Sequence, residues 1–250
     1  MSLFEELIED RDEDENIIKS FESKEELSDN IFEKNKGDFK MRDDVRKALL
    51  KIADEFIDSL GVEFFIHDVV LTGSLANYNW SNFSDVDLHI VIDFKESKYN
   101  SDILKEFFDA KKNIWNEKRD IKIKGFDVEL YVQDIDEPHI SSGVYSILND
   151  KWIIEPEQKK PKIDDRLILQ KGETYAKEIN DLIELGKKKN VLPEIDDLRK
   201  KLKSFRQCGL DKGGEYSYEN LTFKLLRRNG YIEKLLKLKT SLIDKKLSIT

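Results

Sequence analysis

Cysteine is nearly absent. A single one, Cys208, stands in 250 residues, so no disulfide can close within the chain and no cage of thiolates can hold a structural metal. Long apolar runs are missing too. No stretch approaches the roughly 18–20 residues that cross a bilayer, which excludes a membrane-spanning helix. The opening residues, Met1-Ser2-Leu3-Phe4-Glu5-Glu6, are acidic and lack the pattern of a secretion signal. The expectation is a protein of the cytoplasm. Positive charge is in deficit: 52 acidic residues face 43 lysines and arginines, a net charge of −9. Binding to long nucleic acid rests on neutralising phosphates, so strong general affinity for it is not expected, although a local basic cleft remains open.

What is present is charge of both signs. Charged residues make up 38% of the chain, against roughly 25% in ordinary globular proteins, while 39% is apolar. A core can form, but its surface must be densely charged. The first 40 residues are the most acidic. Their few apolar residues (Leu3, Phe4 and Leu7; Ile17, Ile18 and Phe21) could form one or two short helices docked on the core. Composition favours a partly disordered, solvated arm.

Beyond that arm, periodicity marks the elements. Val45, Leu49, Ile52, Ala53, Phe56 and Leu60 recur at spacings of three and four, predicting an amphipathic helix over 41–60 that Gly61 ends. Residues 68–72 read as a short strand, and 85–92 as a second one with Val86, Leu88 and Ile90 alternating against Asp85, Asp87 and His89. A helix is predicted over 102–117, with Ser101 or Asp102 as its cap. Alternation before and after Gly125 predicts paired strands ending in 126–132, and Asn149-Asp150 suggests a further hairpin. From residue 163 the pattern is helical only: 164–185, 194–206, 218–228 and 231–247, with breaks at Gly186, Gly209, Gly213-Gly214 and Asn229-Gly230. Three spans result: an acidic arm over 1–40, a mixed α/β core over 41–160 and a helical domain over 161–250.

The chemistry concentrates in Leu71-Thr72-Gly73-Ser74, ten residues of polar loop, then Asp85-Val86-Asp87-Leu88. Period two puts Asp85 and Asp87 on one face of their strand. Two neighbouring carboxylates repel, so a cation between them is expected. Mg²⁺ suits hard oxygen ligands and substrate phosphates. A pair of such ions, with Mn²⁺ as the substitute, would stabilise both oxygens of a phosphoryl transfer. Gly73 allows close approach of the backbone, and Ser74 with nearby amides can bind phosphate oxygens. A third carboxylate is expected on a neighbouring strand, where Phe126-Asp127-Val128-Glu129-Leu130-Tyr131 puts Asp127, Glu129 and Tyr131 on one face. That carboxylate would also take the proton from the attacking hydroxyl.

These motifs resemble the DNA polymerase beta-type nucleotidyltransferase superfamily over residues 45–135. The resemblance implies that Gly73 and Ser74 bind the nucleoside triphosphate and that Asp85 and Asp87 bind metal. It makes Glu129 the candidate third ligand, with Asp127 as the fallback, since many members carry Asp there. It also implies a small mixed sheet flanked by helices, followed by helices that hold nucleotide or acceptor. Residues 84–91 and 129–134 are similar to predicted nucleotidyltransferases of large tailed phages, which would locate the protein in the host cytoplasm. The expected reaction moves a nucleoside monophosphate from an NTP to an acceptor and releases pyrophosphate. The acceptor is open among an RNA end, a protein, a small molecule and another nucleotide. A non-catalytic nucleotide-binding or assembly module retaining the fold is the alternative, and an RNA-binding helical adaptor a third reading.

Several residues carry two readings. His89 continues the face of the two aspartates, where a hydrogen-bonded structural role competes with contact to substrate. Asn77, Tyr78, Asn79 and Trp80 either stack on a base or pack on the core. Lys224, Arg227 and Arg228 form a basic cluster, either on a solvated face or reaching triphosphate or RNA.

Overall fold

The computed structural model describes residues 13–35, 37–62, 64–139 and 141–249. Contacts divide the chain into two compact units. One is Ser23–Lys160; the other joins the described residues up to Glu22 with those from Pro161 onward.

The first unit is a six-stranded mixed sheet backed by two long helices. Strands β1 (Phe32–Asn35) and β2 (Asp38–Met41) form a separate hairpin. Helix α1 (Asp43–Leu60) follows, and the whole apolar stripe from Val45 to Leu60 is buried. The sheet comprises β3 (Ile66–Thr72), β4 (Val86–Ile92), β5 (Lys122–Ile123), β6 (Phe126–Asp134), β7 (Val144–Ser146) and β8 (Lys151–Ile154), in the spatial order β5-β6-β4-β3-β7-β8. Strands β4 and β6 are parallel, and helix α2 (Ser101–Lys118) makes the crossover that a parallel pair requires. The other pairings are antiparallel.

Alternation sets which face of β4 is covered. Val86, Leu88 and Ile90 are fully buried in a core shared with Leu49, Phe56, Phe108 and Trp115, while Asp87 and His89 stay half-buried on the other face. On β6, Asn116 of α2 donates from Nδ2 to the Leu130 carbonyl and accepts from the Leu130 amide. The side chain thus supplies ladder bonds that the two-residue β5 is too short to make.

The second unit is helical: α3 (Asp165–Gly186), α4 (Leu192–Gly213), α5 (Tyr218–Arg228) and α6 (Tyr231–Leu247). Tyr175, Ile179, Ile195, Leu198, Leu202, Leu226 and Leu235 form its main core. A mixed α/β core carrying C-terminal helices is the expected fold class. Among the described residues, no helix is long and apolar enough to cross a membrane.

Four expectations need correction. The solvated-arm reading does not hold for the described residues before 41. Residues 13–19 are helical, and Ile17, Ile18 and Phe21 are buried against Ile168, Leu221 and Leu225. Arg228 donates to Ser20 Oγ at 2.6 Å and lies over the Phe21 ring. Phe32 and Met41 sit in the core of the sheet unit, where Phe32 stacks on Trp152 and the Trp152 indole N–H donates to the Phe39 carbonyl. A handful of apolar residues with long-range partners outweighs the acidic composition. Leu3, Phe4 and Leu7 lie outside the described residues. Second, Gly209 does not break its helix, which continues to Gly213. A Cβ there would lie 2.6 Å from both Glu219 Cβ and Ser217 Oγ, so the glycine serves close packing. Third, Asn100 rather than Ser101 or Asp102 caps α2, accepting from the amides of Asp102 and Ile103. Fourth, β4 begins at Val86, which leaves Asp85 on the loop side of the strand.

Candidate active site

Strand β3 delivers the chain to a tight turn. Gly73 has φ 70° and ψ −158°, a conformation largely closed to residues with a side chain. Ser74 opens a single 3₁₀ turn to Ala76. Its hydroxyl donates to Ser84 Oγ at 2.8 Å, and Ser84 Oγ also accepts from the Ser81 amide. Asn77, only 3% exposed, pins the turn: its Nδ2 donates to the Gly73 carbonyl at 2.7 Å and to Ser141 Oγ at 3.2 Å, while Oδ1 accepts from Ser142. Tyr78 and Trp80 pack against the core, and the Trp80 N–H donates to the Glu26 carbonyl. Packing on the core is what Tyr78 and Trp80 display.

Register brings the acids to the turn. Asp87 pairs with Thr72 on β3 and with Glu129 on β6, so Thr72, Asp87 and Glu129 form one row across the sheet. His89 and Tyr131 form the next row. The approach of β3 to β4 is close. A Cβ built on Gly73 would lie 1.7 Å from Asp87 Oδ2 and 2.7 Å from its Cγ, so the Asp87 carboxylate occupies the space that a side chain at 73 would need. Asp85 is half-buried just before the strand.

The two candidates for the third carboxylate differ in their surroundings. Asp127 is exposed and ion-paired with Lys122, its register partner on β5. Glu129 is half-buried beside Asp87, and its Oε2 accepts from the Tyr131 hydroxyl at 2.5 Å. Among the described residues, a group of three metal-ligating side chains with atoms all within 4.8 Å of one another occurs at His67, Asp93 and Glu96, toward the opposite end of β3 and β4. Asp85, Asp87 and Glu129 do not form so tight a group. Asp85 lies outside the strand, where alternation no longer governs its direction.

A cleft of about 550 Å³ starts at Thr72, Gly73 and Asp87 and runs past His89, Tyr131 and Gln133. His89 Nδ1 meets Gln133 Oε1 at 2.9 Å, and Gln133 Nε2 donates to the Glu137 carbonyl at 2.9 Å. Burial holds the His89 imidazole below its ordinary pKa and so neutral at pH 7. His89 makes the hydrogen bond that its structural reading expects, while its ring still lines the cleft. Lys105, Asp109 and Lys112 of α2 form the far wall, with Lys112 paired to Asp109. Periodicity places Tyr131 on the face of the acids, but nothing in the sequence connects it to Lys112 on a helix, which lies over its ring. In the helical unit, Lys224 is partly buried rather than on a solvated face, and burial pushes its ammonium down to about 8.

No curated protein matches the chain. Among solved structures, a STING-associated CdnE c-di-GMP synthase from Capnocytophaga granulosa is similar over 82% of this chain and 84% of its own, at 12% identity and a TM-score of 0.24. The likeness is too loose to carry a functional argument. The family model of the nucleotidyltransferase domain matches residues 49–192, more than half of the chain and the whole of β3, the Gly73 turn, β4 and β6, so this protein belongs to the nucleotidyltransferase domain family and is a transferase.

Proposed function

We propose that the chain transfers a nucleoside monophosphate from an NTP to a hydroxyl-bearing acceptor, with Asp85, Asp87 and Glu129 as its metal-binding and catalytic carboxylates and Gly73 with Ser74 as its phosphate-binding turn. The observation that carries this reading is the row Thr72, Asp87, Glu129, abutting a glycine whose missing side chain makes room for the Asp87 carboxylate. The donor set consists of carboxylate oxygens beside a serine hydroxyl, which fits a hard cation such as Mg²⁺, in two copies or with Mn²⁺ in its place. When bound, the cation would neutralise triphosphate charge and stabilise the entering and leaving oxygens.

The chain's own residues account for the rest. The backbone amides of the turn and the Ser74 hydroxyl hold phosphate oxygens. The acceptor oxygen forms a bond to the α-phosphorus, and the bond from that phosphorus to the pyrophosphate oxygen breaks. The hydroxyl proton passes to the Glu129 carboxylate. Glu129 is favoured over Asp127 because Lys122 engages Asp127.

The acceptor is the open variable among an RNA end, a protein, a small molecule and a second nucleotide. The net charge of −9 weighs against a long nucleic acid. The test incubates the protein with each α-labelled NTP, Mg²⁺ or Mn²⁺, and a cell lysate, and follows the label. Wild type is expected to label one class of acceptor, and the double variant Asp85→Ala with Asp87→Ala to lose labelling while melting as a folded protein. Equal labelling by the double variant would refute the assignment.

A further inference from the structure

We infer that Tyr131 is a positioning residue that holds Glu129 in its metal-binding orientation, and that Lys112 and His89 exist in this cleft chiefly to fix Tyr131; the inference rests on the reading of Glu129 as a metal ligand. A glutamate on a strand has three side-chain torsions to order, and an unrestrained carboxylate is a poor ligand because that freedom is lost on binding. Here one carboxylate oxygen is taken. The Tyr131 hydroxyl donates to Glu129 Oε2 at 2.5 Å, within the range of hydrogen bonds to an ionised acceptor. Strand alternation makes the contact possible, since residues 129 and 131 share a face.

The phenol is itself held from several sides. The Lys112 ammonium lies 4.7 Å from the ring centroid. Lys112 is only 19% exposed and is tied by Asp109 at 2.8 Å, so its charge stays over the ring. That charge also draws electron density from the phenol and strengthens its O–H as a donor. The His89 ring sits 4.9 Å away, tilted by 36°. His89 is bonded to Gln133, and Gln133 to the Glu137 carbonyl. A phenylalanine would fill the same volume and meet the same cation and ring. What tyrosine adds is the hydroxyl, and the hydroxyl goes to Glu129. Hydrogen-bond partners of ligating carboxylates tune metal affinity typically by 10–100-fold.

The test is calorimetric titration of Mn²⁺ into the protein bearing a non-hydrolysable α,β-methylene NTP, with melting temperature as the control. Tyr131→Phe should weaken Mn²⁺ binding by about tenfold while shifting the melting temperature by no more than about 2 °C. Lys112→Met, which keeps the apolar stem and leaves the Tyr131 hydroxyl in place, should weaken it by a smaller factor of about three. In a Glu129→Gln background, Tyr131→Phe should have a clearly smaller effect, because the hydroxyl then loses its charged acceptor. If wild type binds no Mn²⁺, the metal-site reading fails and Tyr131's role fails with it. If wild type binds and Tyr131→Phe binds equally or more tightly, the positioning role alone is overturned. An equal loss in the wild-type and Glu129→Gln backgrounds also overturns it, because Tyr131 would then act independently of Glu129. In a labelling assay the same variant should lower kcat with the KM for NTP nearly unchanged.

Discussion

Replacing Gly73 by alanine tests the geometry of the site most directly, because the consequence can be worked from distances. The new Cβ would stand 1.7 Å from Asp87 Oδ2 and 2.7 Å from Asp87 Cγ. Carbon atoms make their best contacts at about 3.5–4.0 Å, so the carboxylate must swing away or the two strands must part. Forcing extra atoms into a packed site costs about 1–3 kcal/mol. The backbone contributes separately: φ 70° with ψ −158° is strained for any residue with a Cβ, at about 1–3 kcal/mol. The total, roughly 2–6 kcal/mol, is a large part of the 5–15 kcal/mol that stabilises a typical domain. The two parts separate in a double-mutant cycle read by urea denaturation. With Asp87→Ala already made, the nearest remaining Asp87 atom is its Cβ at 3.2 Å. Gly73→Ala should then cost only the backbone strain, leaving a coupling of about 1–3 kcal/mol. In the Asp87 background the displaced carboxylate should also abolish labelling. Equal cost in both backgrounds, or full labelling by Gly73→Ala, would refute the claim that Gly73 exists to admit Asp87.

Three further variants follow. Glu129→Gln should reduce NMP transfer by at least about two orders of magnitude, in keeping with loss of a positioned general base, whereas Asp127→Asn should leave it within about twofold; the reverse order in the labelling assay would transfer the third role to Asp127. Lys224→Met should stabilise the protein at pH 7. Burial, with Arg228, Arg227 and Arg206 adding and Glu215 opposing, lowers the folded pKa of Lys224 from 10.5 to about 8, so the charged lysine disfavours folding by at most about 3 kcal/mol below pH 8. The unfolded chain holds the proton longer, so this penalty fades between pH 8 and 10.5. Thermal melts of both proteins across that window should converge as pH rises, and a gap independent of pH would contradict the burial argument.

Much of this molecule is written in short-range pattern. The stripe from Val45 to Leu60 and the alternations of residues 86–92 and 126–132 are local, and a helix or strand follows from each without knowledge of its neighbours. The same alternation put Asp87 with His89, and Glu129 with Tyr131, on the half-buried faces of their strands. The Gly-Ser turn and the spacing to the aspartates carried the family assignment. What needed the folded chain was every relation between distant segments. Asp127 and Glu129 share a face and are indistinguishable by period; the parallel register of β4 and β6 put Glu129 beside Asp87, and the short β5 gave Asp127 a lysine. Gly209 looks like a break until Glu219 and Ser217 approach it. In the acidic first 40 residues, Ile17, Ile18, Phe21 and Phe32 are too sparse to make a periodic signal, yet each finds a buried partner. Sequence alone determined the elements with a strong period, such as the helix ending at Leu60 and the strands of the two acid faces, because those follow from backbone geometry within a few residues. Tertiary structure decided which acid neighbours which, what fills the space left by Gly73 and what clamps Tyr131, because register and packing depend on atoms far apart along the chain.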